Sequence, residues 1–318
     1  MDLRIFTEPQ QGAAHADLLA AATATREHGF SAFFRSDHVL KMGAGTGLPG
    51  PSDSVASLAA LAAQVPDIRF GTLVTSATFR HPSMLAIATA NIDDISGGRI
   101  ELGLGSGWFA DEHDAYGLPF GASFGERFDR LTEQLEIITG LWATPDGGSF
   151  SYEGRYFQLA GAPGLPKPVQ TRRDGSPGVP IIVGGHGPKR TPALAARFAD
   201  EFNIGFSPLE ESHEQLVRVR AACDVADRDP ASMTYSIAHP VVCGADDAEI
   251  SRRAAAVGRT TQELAESGAL VGTPAQVLDQ LGQWQRIGAD RFYLQILDLS
   301  DLDHVALLGS EVRPHVVG

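Results

Sequence analysis

Short apolar runs alternate along this chain with longer stretches in which apolar residues return every three or four positions. The first kind reads as buried strand, the second as one-sided helix. Leu3–Phe6 opens as a strand, and the alanine-rich stretch His15–His28 follows as a helix stopped by Gly29. Phe30–Arg35 is a second apolar run, and Ser52-Asp53 offers a cap for a helix over Val55–Gln64. Arg69–Val74 is the third strand, with a helix from Ser83 to Ile95. The fourth unit begins at Arg99–Leu104 and breaks at Gly105-Ser106-Gly107, where backbone without Cβ can approach a flat ligand. It then crosses a loop of bulky and titratable side chains and enters a helix carrying Leu131, Leu135 and Ile138 at helical spacing. Four strand–helix units with short links predict a parallel sheet with right-handed crossovers.

Residues 143–179 interrupt the rhythm. They are rich in Gly, Pro and Ser, and Phe150–Phe157 reads as a small hairpin. A segment this long is either a functional loop over the site or a linker between domains. The alternation then resumes with strands at Val179–Val183, Phe202–Phe206, Thr234–Cys243 and Arg291–Leu297. Helices follow to Ala199, over Glu210–Asp227, within Asp246–Glu266, from Thr273-Pro274 to Ile287, and over Leu302–Val312. Eight strands, each followed by helix, predict an α/β fold: a (β/α)8 TIM barrel with an insertion at 143–179, one domain over 1–318. The site of such a fold lies beyond the carboxyl ends of its strands.

Composition narrows the function classes. The 318 residues are 43% hydrophobic and 20% charged, enough for a large core, and the net charge of −14 argues against a nucleic-acid or anionic-membrane partner. The two cysteines, Cys223 and Cys243, form no C-x-x-C pair, so neither a zinc site nor a disulfide framework is expected. Met1–Phe6 runs straight into a strand pattern without a basic-then-apolar leader, and no apolar run nears the roughly 20 residues that span a bilayer. A cytoplasmic protein acting on a small molecule is the expectation.

The clearest ligand motif is Gly184-Gly185-His186-Gly187-Pro188-Lys189-Arg190. Glycines after a strand expose backbone N–H groups, the following helix start adds its dipole, and Lys189 and Arg190 add charge; together these suit a phosphate. The alternative is a tight turn with surface charges. Asp37-His38 closes the second strand, where a histidine either exchanges protons near neutrality or packs against Asp37. Glu8 closes the first strand and is either an acid or cofactor contact or a solvated carboxylate. Phe79, Trp108, Phe109 and Tyr116 suggest an apolar pocket or simply core. His81, His113, His186 and His239 form no metal-ligand spacing, so no metal is expected.

With these motifs in order, the chain resembles the luciferase-like monooxygenase superfamily, and within it the coenzyme F420-dependent oxidoreductases. The resemblance rests on Ser36-Asp37-His38, Gly71–Thr75 with Phe79-Arg80-His81-Pro82, and Gly103–Trp108. It continues through Asp111-Glu112-His113 with Tyr116-Gly117, Gly125–Leu131, Tyr152–Arg155, Lys167–Gln170, Val183–Gly187 and Val271–Pro274. It implies a barrel with the deazaflavin or flavin ring at the strand ends and a cis peptide at Leu73–Val74 supporting it. It implies Asp37, Ser76 and Ser106 near the ring or its side chain, with Gly107 in the same turn, and Gly184, Gly185, His186 and Gly187 at the cofactor phosphate. His38 corresponds to a proton-transfer histidine, with Glu8 second, and Phe79, Trp108, Phe109 and His113 to the substrate pocket. Relatives acting on glucose 6-phosphate carry Glu where this chain has Trp108, which points to a larger, flatter or more apolar substrate.

The activity implied is hydride transfer between reduced F420 and an electron-poor C=C, C=N or C=O. The alternatives are an FMN-dependent monooxygenase of the same superfamily and a flavin-binding barrel without turnover. F420 carries an acidic oligoglutamate tail, for which Lys167, Arg172, Arg173, Lys189 and Arg190 are candidate partners. Relatives imply a homodimer.

Overall fold

The computed structural model describes residues 1–43 and 45–316. In chain order its first half runs β1 (Asp2–Thr7), α1 (His15–Glu27), β2 (Ala32–Arg35), α2 (Ser54–Gln64), β3 (Arg69–Thr72), β4 (Thr75–Ser76), α3 (Pro82–Ser96), β5 (Ile100–Gly105), α4 (Ala110–Tyr116) and α5 (Phe124–Ala143). Then come β6 (Phe150–Glu153), β7 (Gln158–Ala162), β8 (Ile181–Gly184), α6 (Arg190–Phe198), β9 (Glu201–Gly205), α7 (Leu209–Val225) and β10 (Thr234–Cys243). The chain ends with α8 (Asp247–Ala256), α9 (Thr261–Glu266), β11 (Leu270–Gly272), α10 (Pro274–Arg286), β12 (Arg291–Ile296) and α11 (Leu302–Leu307).

The strands pair in the order β1-β2-β3-β5-β8-β9-β10-β12, all parallel, and β12 returns to β1 in register from Asp2↔Arg291 to Thr7↔Ile296. This is the eight-stranded barrel the alternation predicted. Leu3, Ile5 and Phe33 face the helices and join the large core, while Phe6, Phe34, Ile182, Ala238 and Tyr293 fill the barrel interior. Below them sits a ring of buried charge. Arg4 donates to Glu101 at 2.8 Å, Tyr293 donates to Glu201 at 2.8 Å, and Arg69 and Arg291 pair with Glu101 and Glu201. Burial alone would raise the Glu101 carboxyl, but the guanidiniums of Arg4 and Arg69 outweigh it and hold it at about 2.

Local signals explain most boundaries. Asp53 caps α2 by accepting from the Ala56 N–H at 2.9 Å, and Gly97, in the left-handed region at φ 64, ends α3. Four readings need correction. The third strand stops at Thr72; a cis Leu73–Val74 peptide makes a bulge, and Thr75-Ser76 resumes pairing with β5. The expected loop after Trp108 contains α4, closed by Gly117 at φ 65. The helical patterns within 246–266 form α8 and α9, parted around Gly258 (φ 69), and after them β11 adds an unexpected strand to β10. The last helix gives way after Leu307 to a wider turn over Leu308–Val312.

The insertion packs on α5 and α3. β6 and β7 form a hairpin whose turn is held by Glu133 of α5, which accepts from the N–H groups of Arg155, Tyr156 and Phe157 at 2.7–3.0 Å. Tyr152 donates to Glu136 on the same helix at 2.5 Å. Farther along, Asp93 of α3 accepts from the N–H groups of Val169 and Gln170. Among the described residues no helix is long and apolar enough to cross a membrane.

Candidate active site

The carboxyl ends of β1, β2, β3 and β5 bring together Glu8, Asp37, His38, the Leu73–Val74 bulge and the turn after Gly105. The bulge explains the run of glycines. A Cβ on Gly103 would stand 2.9 Å from Val74 Cγ1, one on Gly105 2.9 Å from Val74 Cγ2, and one on Gly184 3.4 Å from Val74 Cγ1. Three neighbouring glycines therefore open a socket for Val74, while Leu73 packs on the interior cluster of Phe6 and Phe34. At Gly107 (φ 78) the Cβ position is taken by Ser76 Oγ, 2.3 Å away. At Gly105 and Gly107, where the sequence suggests close approach of a flat ligand, the Cβ side is taken by Val74 and Ser76.

His38 ends up on a buried carboxylate. Its Nδ1 lies 3.0 Å from Glu112 Oε1 and 3.1 Å from Oε2, and Glu112, 1% exposed, also accepts from the Val39 N–H at 3.0 Å. A carboxylate accepts only, so Nδ1 carries the proton. Nε2 is then the ring atom with no protein partner among the described residues. Trp108 and Phe109 stack on each other with centroids 5.3 Å apart and meet the His38 ring edge-on at 5.6 and 6.0 Å. Burial lifts the Glu8 carboxyl above its ordinary pKa, with His38 pulling the other way.

Asp37 does not bond His38. Arg80 clamps it at 2.5 Å and reaches Asp53 at 2.5 Å, tying β2 to the start of α2. Buried Arg35 donates to the Ser36 carbonyl and to Ser52 and Ser57; desolvation lowers it to about 10. His113 is also corrected. It is wholly buried, donates through Nδ1 to the Phe109 carbonyl at 2.8 Å, and shares a 2.5 Å contact through Nε2 with Thr78, which in turn meets Ser76 at 2.6 Å. Phe79 stacks on its ring at 5.0 Å, so this pair braces the pocket wall from behind. Ser106 sits half-buried in the turn, and Tyr116 is exposed at the end of α4.

Across the mouth, Gly184–Gly187 leads into α6. Thr191, in the first turn of α6 and 1% exposed, has a hydroxyl without a hydrogen-bond partner. A Cβ on Gly187 would lie 2.8 Å from that Oγ1, and one on Gly185 3.4 Å. Among the described residues the N–H groups of His186 and Gly187 also have no partner. An orphaned buried hydroxyl, free amides and a glycine-lined opening fit the phosphate that F420 and FMN share. His186 Nδ1 meets Ser207 at 2.9 Å, and partial desolvation lowers its pKa.

The expected cations do not gather there. Arg190 pairs with Asp129 at 2.5 Å and lies over the Phe128 ring. Lys167 donates to the Leu141, Trp142 and Thr144 carbonyls at the end of α5. Arg172 binds Asp200 at 3.0 Å, and Arg173 donates to the Ser232 carbonyl. Of the five, Lys189 alone has no protein partner among the described residues. Sequence reasoning also passed over Glu112 and Thr191. Glu112 stands 74 residues from His38, and a lone threonine inside a helix start carries no local mark.

A family model described as luciferase-like monooxygenase matches residues 1–261. An F420-dependent glucose-6-phosphate dehydrogenase of Nakamurella multipartita is 35% identical over 190 residues, 58% of this chain and 51% of that protein. A protein of the same description from Gordonia bronchialis is 31% identical over 220 residues, 67% of this chain and 60% of its own length. The chain thus spans little more than half the length of these curated relatives. Among solved structures, an F420-dependent secondary alcohol dehydrogenase in complex with an F420–acetone adduct superposes with a TM-score of 0.83 at 17% identity, covering 100% of this chain and 99% of that one. The monooxygenase RslO1 of Streptomyces bottropensis gives 0.80 at 23% identity, with 100% of each chain covered. At such identities these structures show the fold alone.

Proposed function

The chain belongs to the luciferase-like monooxygenase family, and we propose that within it the protein is an F420-dependent oxidoreductase. It would move a hydride between reduced deazaflavin and an electron-poor C=C, C=N or C=O of a small organic substrate. The observation that carries the reading is the His38–Glu112 pair, whose Nε2 has no protein partner among the described residues and whose ring meets Trp108 and Phe109. The cofactor is taken from the names of the curated relatives.

The residues divide the work. Gly185, His186, Gly187 and Thr191 hold the phosphate, with Lys189 at the rim. Val74, Ser76, Ser106, Gly107 and Asp37 border the ring. F420, when bound and reduced, supplies the hydride. As the hydride adds to the substrate carbon, negative charge grows on the attached oxygen, nitrogen or carbon. His38, held in one orientation by Glu112, would deliver the balancing proton from Nε2 in its doubly protonated form and keep the Nδ1 proton on Glu112, and Glu8 is the second candidate donor. Catalysis is otherwise positioning.

FMN-dependent monooxygenation is the second reading. The phosphate cradle suits either cofactor, and four of the five cations expected to meet an acidic tail are engaged elsewhere. Titrating the purified protein with F420 and with FMN separates the two: micromolar or tighter F420 with markedly weaker FMN is expected, and the reverse order supports the monooxygenase. A homodimer is supported by α2, which bears no charged residue, and by the exposed Met84 and Ile95 of neighbouring α3. Cytoplasmic residence fits the free, buried Cys223 and Cys243.

A further inference from the structure

At the mouth, the Trp108 side chain is 67% exposed although it stands directly beside His38. Its position is not loose. Gly107 holds the left-handed turn before it, Ser76 fills the space on one side of that turn, and Arg127 donates to the Gly107 carbonyl at 3.2 Å. Arg127 is itself held over the Phe120 ring at 4.0 Å. Phe109, stacked on Trp108 at an interplanar angle of 23°, backs one face of the indole and leaves the other open. A rigid, solvent-facing aromatic plane beside a proton donor is a ready platform for a flat apolar ligand.

Charge on the rim points the same way. A substrate phosphate needs a free cation, yet Arg80 is bound to Asp37 and Asp53, and Arg127 to the turn carbonyl and its rings. Lys41 donates back to the Gly43 carbonyl.

We infer that the substrate is a planar, uncharged molecule about the breadth of two fused rings, bearing a conjugated C=O or C=N, and that it is seated on the face of Trp108 that Phe109 leaves open. A sugar phosphate, the substrate named for the curated relatives, is excluded. This rests on reading the mouth as the place of hydride transfer, because only there does a ligand on Trp108 come within reach of His38.

Calorimetric binding to the wild-type protein, alone and saturated with oxidised F420, tests it. The probes are 2-acetylnaphthalene, cyclohexyl methyl ketone and glucose 6-phosphate. The planar ketone binds at least tenfold more tightly than either of the others, Trp108→Ala loses at least tenfold of that affinity, and Trp108→Phe keeps most of it. Glucose 6-phosphate binding as tightly as the planar ketone, or Trp108→Ala leaving the ketone's affinity unchanged, overturns the inference. F420 affinity, read in its own titration without ketone, reports on the cofactor reading separately. The ketone's dependence on Trp108 in the cofactor-free protein decides this inference even where F420 does not bind.

Discussion

His38 shows what one residue can and cannot reveal before the fold is known. Its place after an apolar strand made it legible as a candidate acid, but the pairing was misread. Asp37 was the sequence neighbour, whereas the carboxylate on its Nδ1 is Glu112, from a helix 74 residues away. Both residues follow the end of β2 at Arg35, and there Asp37 meets Arg80 while His38 meets Glu112. His38→Ala should keep the fold and lose roughly a hundredfold in kcat, the ordinary worth of general acid assistance. Glu112→Gln should lower kcat more than it alters KM and should change the pH profile through His38. A wild-type kcat per folded, cofactor-bound His38→Ala molecule contradicts the acid role. Gly187 is a second residue-scale test. Gly187→Val would drive a side chain against Thr191 Oγ1 and should weaken cofactor binding more than tenfold, whereas Lys189→Ala should have a smaller effect that fades with salt. Unchanged affinity in the glycine variant would remove the phosphate from this turn.

Among elements, strands and helices were legible because every unit carries an apolar run and a glycine or cap at its end. The cis Leu73–Val74 bulge that the resemblance implies is present, in a socket built by glycines of β5 and β8; what escaped was α4, held by contacts of Glu112 and His113 with Val39 and Thr78 in loops distant in sequence. β10 gives a pH test at this scale. His304 of α11 accepts from the Cys243 N–H at 3.0 Å, and desolvation, with Arg253 adding to it, lowers its pKa to about 3. Desolvation likewise lowers His239 to about 4. Above about pH 6.5 both states leave these rings neutral and their contribution is complete. As pH falls further, the unfolded chain takes up protons that the native state refuses, so stability drops toward pH 4. Each unit of depression is worth about 1.4 kcal/mol. The urea midpoint should therefore fall between pH 7 and 5, and His304→Gln should flatten that fall; an equally steep fall in the variant assigns the loss elsewhere.

At the scale of the whole molecule, the barrel has a charged floor, an apolar middle and a chemically active mouth, and the chain's net charge of −14 keeps like molecules apart everywhere except on surfaces without charge. The outer face of α2 is such a surface, with the exposed Met84 on neighbouring α3. Replacing Ala60 and Met84 together by Glu should convert the expected dimer to monomers in sedimentation while leaving the thermal midpoint nearly unchanged; a wild-type sedimentation pattern moves the interface elsewhere. The central claim is that this mouth passes a hydride from reduced F420 to an organic acceptor. Anaerobic mixing of the protein with one equivalent of reduced F420 and excess 2-acetylnaphthalene, followed by the visible absorbance of the oxidised cofactor, tests it most directly. The account requires oxidised F420 and the corresponding alcohol to form in equal amounts without oxygen, with far slower formation in His38→Ala. Cofactor oxidation that needs oxygen, or that proceeds without any acceptor, contradicts it.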